Sequence, residues 1–115
     1  MKRVVITGLG LVTALGNDVP TCWANLIAGK SGAGAITHFD SSKFKTQFAC
    51  EVKDLDVSNL FVFFELRRYD RYIHLAVKSA EEAINNAGLH ITLENPLRCG
   101  VIYGSGMGGV KTLDT

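Results

Sequence analysis

The chain opens on an unbroken apolar run rather than an alternation. Lys2 to Ile6 is β-branched and nearly all apolar, which predicts a strand buried on both faces, as at the centre of a parallel sheet. Thr7-Gly8-Leu9-Gly10 ends or bends that strand. Asp18 then offers a helix N-cap and Pro20 suits a first turn. Val19, Trp23, Leu26 and Ile27 recur at helical spacing until Gly29, so a helix is predicted from Asp18 to Gly29. Lys30 to Phe44, rich in Gly, Ser, Asp and Thr and without period, predicts an ordered loop. The weak alternation of Gln47 to Lys53 predicts a short strand. A polar, turn-like Asp54 to Asn59 leads into Leu60-Phe61-Val62-Phe63-Phe64, the most apolar five-residue run in the sequence, and the basic residues Arg67, Arg68 and Arg71 follow it.

The clearest periodicity comes next. Ile73, Ala76, Val77, Ala80, Ala83, Ile84 and Ala87 trace one face of a helix and Lys78, Glu81, Glu82 and Asn85 the other, with Gly88 just past its end. Alanines on the inner face predict close approach to a neighbouring layer. Leu89 to Leu97 connects, with Pro96 barring further helix, and Cys99 to Tyr103 predicts a second buried strand that runs into Gly104-Ser105-Gly106-Met107-Gly108-Gly109. Strand, helix, strand fragment, helix, strand is an α/β order.

Composition narrows the picture. With 115 residues, 47% apolar and 20% charged, the chain is at most one modest globular domain. The apolar stretch from Val4 to Leu15 falls short of the roughly 18 residues of a membrane span and is broken by Thr7, Gly8, Gly10 and Thr13. Lys2 and Arg3 lead straight into strand-like residues, which excludes a secretory signal. A net charge of +1 without a long basic run argues against nucleic acid as a partner. Cys22, Cys50 and Cys99 are odd in number, far apart and without a C-x-x-C pair, so no disulfide framework, metal site or cofactor is expected and a reducing cytoplasm fits. Twelve glycines exceed the average share of about 7%, and five of them fall between Gly100 and Gly109, a cluster that asks for unusual backbone angles or close backbone approach. Only Val110 to Thr115 follow, so the element begun there is expected to continue beyond the last residue.

Candidate chemistry is sparse. Gly104, Gly106 and Gly109 satisfy G-x-G-x-x-G after a predicted strand, which admits a nucleotide-binding α/β module, and equally a tight turn between packed layers. The amino-terminal Thr7-Gly8-Leu9-Gly10 has Thr13 where the third glycine would stand. Cys22 lies in a first helical turn, where the dipole would favour a thiolate, but its place beside Trp23 favours packing; Cys50 and Cys99 in strand-like runs read as buried filler. His38, His74 and His90 are scattered, with no carboxylate at a spacing that implies catalysis or metal binding. Arg67, Arg68 and Arg71 beside Asp70 admit two readings, a solvated helix start with local ion pairs or an electropositive dock for an acidic partner.

Val4-Val5-Ile6-Thr7-Gly8-Leu9-Gly10 with Thr13 and Leu15-Gly16-Asn17, then Trp23, Leu26, Ala28-Gly29-Lys30-Ser31-Gly32, His38-Phe39-Asp40, Tyr69-Asp70-Arg71, Ala80 to Gly88 and the Gly104 to Gly109 loop resemble the amino-terminal quarter of the β-ketoacyl-acyl carrier protein synthases, nearest to synthase II. The resemblance implies a partial thiolase-like fold, the first part of the amino-terminal half of an α-β-α-β-α sandwich, so that residues 1–115 are an incomplete synthase domain. It implies an acyltransferase of fatty acid synthesis, a homodimer in its whole form. A cysteine there takes an acyl group from acyl carrier protein, and a carbanion from malonyl-acyl carrier protein attacks that thioester in a Claisen condensation assisted by two histidines. None of the family's catalytic residues falls on Cys22, Cys50, Cys99, His38, His74 or His90, so the chain alone is expected to be inactive.

Two features carry over. Met107, flanked by Gly106 and Gly108, occupies the loop position that in synthase II-like enzymes lines the acyl-chain pocket, and a flexible thioether suits a long chain. Arg67 and Arg68 match basic residues that face the acidic acyl carrier protein in the family. The sequence departs from the family just before them, where Val62-Phe63-Phe64-Glu65 replaces a stretch commonly charged, and at Ala14, where proline is common. The rival implied by the same resemblance is a noncatalytic, chain-length-factor-like partner subunit.

Overall fold

The computed structural model describes residues 1–91 and 96–113, which form two compact units: Met1–Gly10 with the residues from Val57 onward, and Leu11–Asp56. In the second of these, helix α1 (Val19–Ile27) starts where the sequence predicts. The Asp18 carboxylate accepts the Thr21 N–H at 2.7 Å and the Thr21 hydroxyl at 2.9 Å, and these bonds, the backbone one foremost, hold its carboxyl below the ordinary carboxylate value. The helix ends at Ala28, with Gly29 at φ 66°, a conformation only glycine takes without strain.

A tight turn precedes α1, closed by Thr13 and Gly16 exchanging backbone hydrogen bonds of 2.8 and 3.2 Å. Asn25 of α1 donates to the Leu15 carbonyl at 2.6 Å, and the Cys22 thiol donates to the Gly16 carbonyl at 3.1 Å. Cys22 is 3% exposed, so its role is packing and turn-anchoring, as the sequence favoured. Strands β1 (Gly34–Ala35) and β2 (Phe48–Ala49) pair antiparallel. The expected loop from Lys30 to Phe44 therefore contains a two-residue strand, and the expected strand from Gln47 to Lys53 shrinks to two residues. Glu51 clamps this hairpin: its carboxylate accepts the Thr37 hydroxyl at 2.7 Å and the N–H groups of Thr37 at 3.1 Å and His38 at 3.3 Å.

In the first unit a six-residue helix, α2 (Phe63–Arg68), grows from the apolar run, and α3 (Arg71–Ala87) follows. The left-handed Gly88 (φ 60°) ends α3, with its N–H on the Asn85 carbonyl and the Leu89 N–H on that of Ile84. Residues Gly8 to Gly10 lie against the small-residue face of α3. A Cβ on Gly8 would collide with the Ala83 carbonyl and with Ala87, and one on Gly10 with the Ser79 carbonyl. The Leu9 N–H reaches the Asn86 side-chain oxygen at 3.0 Å. Phe61 meets His74 edge-on at 5.0 Å and Tyr69 at 5.9 Å, which ties the α2 region to α3. A short 3₁₀ turn (Pro96–Arg98) and a final helical turn, α4 (Val110–Leu113), complete the described elements. Residues 92–95 of the expected Leu89–Leu97 connection lie outside the described residues.

The sequence expected two buried strands that the structure does not form. Neither Lys2–Ile6 nor Cys99–Tyr103 belongs to a ladder, and Ile6 and Ile102 are almost fully exposed. A strand of a parallel sheet needs partners on its edges and layers on its faces; none of the described residues supplies them. For the same reason the apolar face of α3 is only half-covered, and Cys50 and Cys99 are exposed rather than buried filler. Little apolar surface of the chain is buried within either unit. Cys22 and Val57 are its buried apolar residues among those described.

Two outcomes test this packing. Gly10→Ala forces a methyl group into backbone that cannot retreat, and is expected to destabilise the protein by about 1–3 kcal/mol in a thermal melt. The Glu51 carboxyl is held below its ordinary value, by the Thr37 hydroxyl first. Its stabilising effect is therefore complete above the ordinary carboxylate pKa and is lost as pH falls through the lowered value. Hydrogen exchange at the Thr37 amide should accelerate at acid pH relative to neighbours, and Glu51→Gln should remove that pH dependence.

Candidate functional site

The glycine-rich segment is not a free loop. The Ser105 hydroxyl accepts the Gly108 N–H at 3.0 Å, closing a tight turn around Gly106 and Met107. Gly108 sits at φ 62°, with the Tyr72 ring 3.8 Å from where a Cβ would stand, so a side chain here would be strained. Gly109 lies directly against the Asp70 carboxylate, leaving no room for a side chain. The Thr112 hydroxyl donates to both oxygens of that carboxylate, at 2.8 and 2.7 Å. At the crest, Met107 is 77% exposed, while Gly104 and Gly106 face open space.

Asp70 stands at the N-cap of α3, where an aspartate ordinarily accepts a hydrogen bond from its own helix. Its side chain makes no such bond and instead reaches a hydroxyl 42 residues away. Together, Asp70, Tyr72, Ser105 and Thr112 make up the support of the loop, and sequence reasoning did not assign any of them that role. The one local signal was the placement of Asp70 at a helix start; nothing in the spacing marks Thr112 as its partner. The arrangement also bears on the nucleotide reading of Gly104, Gly106 and Gly109. Phosphate recognition wants backbone N–H groups and positive potential, whereas here a carboxylate abuts the third glycine.

Arg67 and Arg68 are exposed on the last turn of α2. The Arg67 guanidinium lies 5.1 Å from the centroid of Phe63, one helical turn earlier, and Phe63 meets Phe64 edge-on at 5.9 Å. Phe63 and Phe64 thus form an exposed aromatic pair with a cation stacked on the first ring. The Glu65 carboxylate turns back to accept the Val62 N–H at 3.2 Å, capping the helix start.

Among the described residues no cluster of His, Cys, Asp or Glu could hold a metal ion, and no helix is long and apolar enough to cross a membrane. The three cysteines do not converge with a histidine: Cys22 is buried with its thiol near the Thr13 hydroxyl (3.2 Å), and Cys50 and Cys99 are exposed. His38 stands 4.0 Å from Glu51, a carboxylate that sequence spacing did not suggest, in the hairpin clamp described above. Among the described residues this geometry assembles a supported glycine-rich loop and a cationic surface, but no nucleophile beside a base.

Comparison with known proteins accounts for that combination. The family described as "Beta-ketoacyl synthase, N-terminal domain" matches residues 1–115. The 3-oxoacyl-[acyl-carrier-protein] synthase 2 of Coxiella burnetii is 45% identical over 113 residues, 98% of this chain and 27% of the relative. Its counterpart in Synechocystis is 43% identical over the same shares, and that of Staphylococcus aureus strain COL 39%. A solved structure described as the ishigamide ketosynthase/chain length factor superposes with a TM-score of 0.68 at 37% identity, over 75% of this chain and 21% of its own. The chain spans about a quarter of the length of the curated relatives it matches.

Proposed function

Because this chain belongs to the β-ketoacyl synthase family, matching the family's amino-terminal domain along its whole length, we infer that it forms the amino-terminal part of a 3-oxoacyl-acyl carrier protein synthase of the synthase II type. The observation that carries the inference is identity of 38 to 45% with synthase 2 relatives over nearly every residue. In the whole enzyme, a cysteine contributed by the rest of the protein attacks the thioester of an acyl carrier protein, taking the acyl group and releasing the carrier thiol. Malonyl-carrier then loses carbon dioxide, and the carbanion left behind attacks the acyl-enzyme carbonyl. The C–C bond forms as the enzyme thiolate leaves, and the product is longer by two carbons. Splitting the transfer through a thioester replaces one difficult step with two easier ones.

The part assigned to these residues is selection, not bond-making. Met107, between Gly106 and Gly108, lines the acyl-chain pocket of the whole enzyme, where its unbranched thioether adapts to long chains. Arg67 and Arg68 meet the acidic acyl carrier protein, and charge there sets encounter rate and orientation more than affinity. The exposed faces of the unpaired segments Lys2–Ile6 and Cys99–Tyr103 and of α3 become interior in an α-β-α-β-α sandwich, the thiolase-like fold of which this is the first portion. The enzyme is read as a cytoplasmic homodimer, in keeping with its unpaired cysteines. The solved ketosynthase/chain length factor relative favours one alternative, a noncatalytic partner subunit built on the same fold.

A graft separates these readings. Residues 1–115 substituted for the matching segment of the Coxiella burnetii synthase 2 should give a chimera that condenses acyl- and malonyl-carrier substrates, while the isolated chain does not. A folded chimera without turnover would refute the synthase assignment and favour the partner-subunit reading. In the active chimera, Met107→Phe is expected to shift the product profile toward shorter acyl chains, by about tenfold in kcat/KM on the longest substrate, because added bulk displaces terminal methylenes. An unchanged profile would remove Met107 from the pocket.

A further inference from the structure

We propose that Asp70 and Thr112 are positioning residues for acyl-chain selection, which rests on the synthase reading above. Asp70 leaves a local hydrogen-bonding option unused. Aspartate at an N-cap ordinarily satisfies an orphan N–H of its own helix, but the Asp70 side chain makes no cap bond. Both of its oxygens accept from the single Thr112 hydroxyl, at 2.8 and 2.7 Å, across 42 residues of sequence. A hydroxyl on a carboxylate is a charge-assisted bond, stronger and more directional than a neutral one.

Its position gives that bond leverage. Thr112 lies in α4, the helical turn that follows Gly109 without a break. The Thr112 N–H bonds the Gly109 carbonyl at 3.1 Å, and Gly109 itself abuts the Asp70 carboxylate. The carboxylate thus holds the descending shoulder of the glycine loop from two sides, through a side-chain bond and through van der Waals contact. Tyr72, two residues on in the first turn of α3, meets Gly108, and Ser105 closes the turn from the ascending side. Met107 lies at the exposed crest between these supports, so its location is set by theirs. Releasing the Thr112 bond frees the shoulder while leaving the Met107 side chain chemically unaltered, which changes where the pocket wall stands and not what it is made of.

The test uses the active full-length chimera, with kcat/KM measured for short and long acyl-carrier substrates. Thr112→Val keeps the shape and deletes the donor. It should lower kcat/KM about tenfold on the longest acyl chain and leave the shortest nearly unchanged, since a hydrogen bond to a charged acceptor is worth about a factor of ten in restraint. Thr112→Ser restores the hydroxyl and should restore the profile, and Asp70→Asn, which keeps an acceptor, should fall between wild type and Asp70→Ala. Exchange of the Gly108 amide should quicken in Thr112→Val alone of the two threonine variants. If Met107→Phe shifts the profile while folded Thr112→Val does not, the anchor is refuted and the synthase reading stands. If neither shifts it in the active chimera, the anchor fails together with the placing of Met107 in the pocket, and the synthase reading stands; if the chimera is folded and inactive, the synthase reading fails and the anchor with it. Thr112 is exposed, so its variants keep the test decisive even if Asp70→Ala does not fold.

Discussion

Backbone meeting backbone at close range is the constraint on which the larger unit depends. Gly8 and Gly10 press against the carbonyls of Ala83 and Ser79, which is open to a chain only where one side has no Cβ and the other has nothing larger than a methyl or hydroxymethyl group. The alanines along α3 are therefore half of a fit whose other half lies more than sixty residues earlier. With its carboxyl-terminal half occupied by that contact, α3 has its first turn left for a second task, the support of the glycine loop by Asp70 and Tyr72. One helix thus fixes the amino-terminal segment at one end and the glycine-rich loop at the other.

Legibility in the sequence followed the range of the forces involved. Asp18, Pro20 and Gly29 gave α1 its ends, and Gly88 ended α3, because caps are settled within a few residues. The alanine face likewise announced a close contact. What a sequence cannot carry by itself is the presence of a partner. Lys2–Ile6 and Cys99–Tyr103 have the composition of buried strands, yet form no ladder, since a strand is a relation between segments while a helix is a property of one. The misplacement of Cys50 and Cys99 follows directly, because their burial was inferred from the strands they were assigned to.

The candidate site shows the same division. The crest of the loop was visible as a run of glycines around Met107, and the basic pair Arg67 and Arg68 as adjacent charges. The support was not visible: Asp70 read as an ion-pair partner for the neighbouring arginines at a solvated helix start, and its bond to Thr112 spans 42 residues. Nor did composition reveal that Phe63 would carry the Arg67 guanidinium on its ring, an intrahelical arrangement that becomes evident only once the apolar run turns helical at Phe63 rather than continuing extended.

These two surfaces differ in how much of their geometry the present residues determine. Arg67 and Phe63 are neighbours on one short helix, so their arrangement is local, and an exposed cation on an aromatic face keeps considerable freedom. The glycine loop is over-determined by comparison: a left-handed Gly108, a carboxylate against Gly109, a hydroxyl closing the turn and another anchoring its far side. A pocket wall must stay put while a flexible hydrocarbon presses on it, whereas a docking surface for a mobile carrier works through orientation and long-range charge. The distribution of restraint therefore matches what the two regions are read to do.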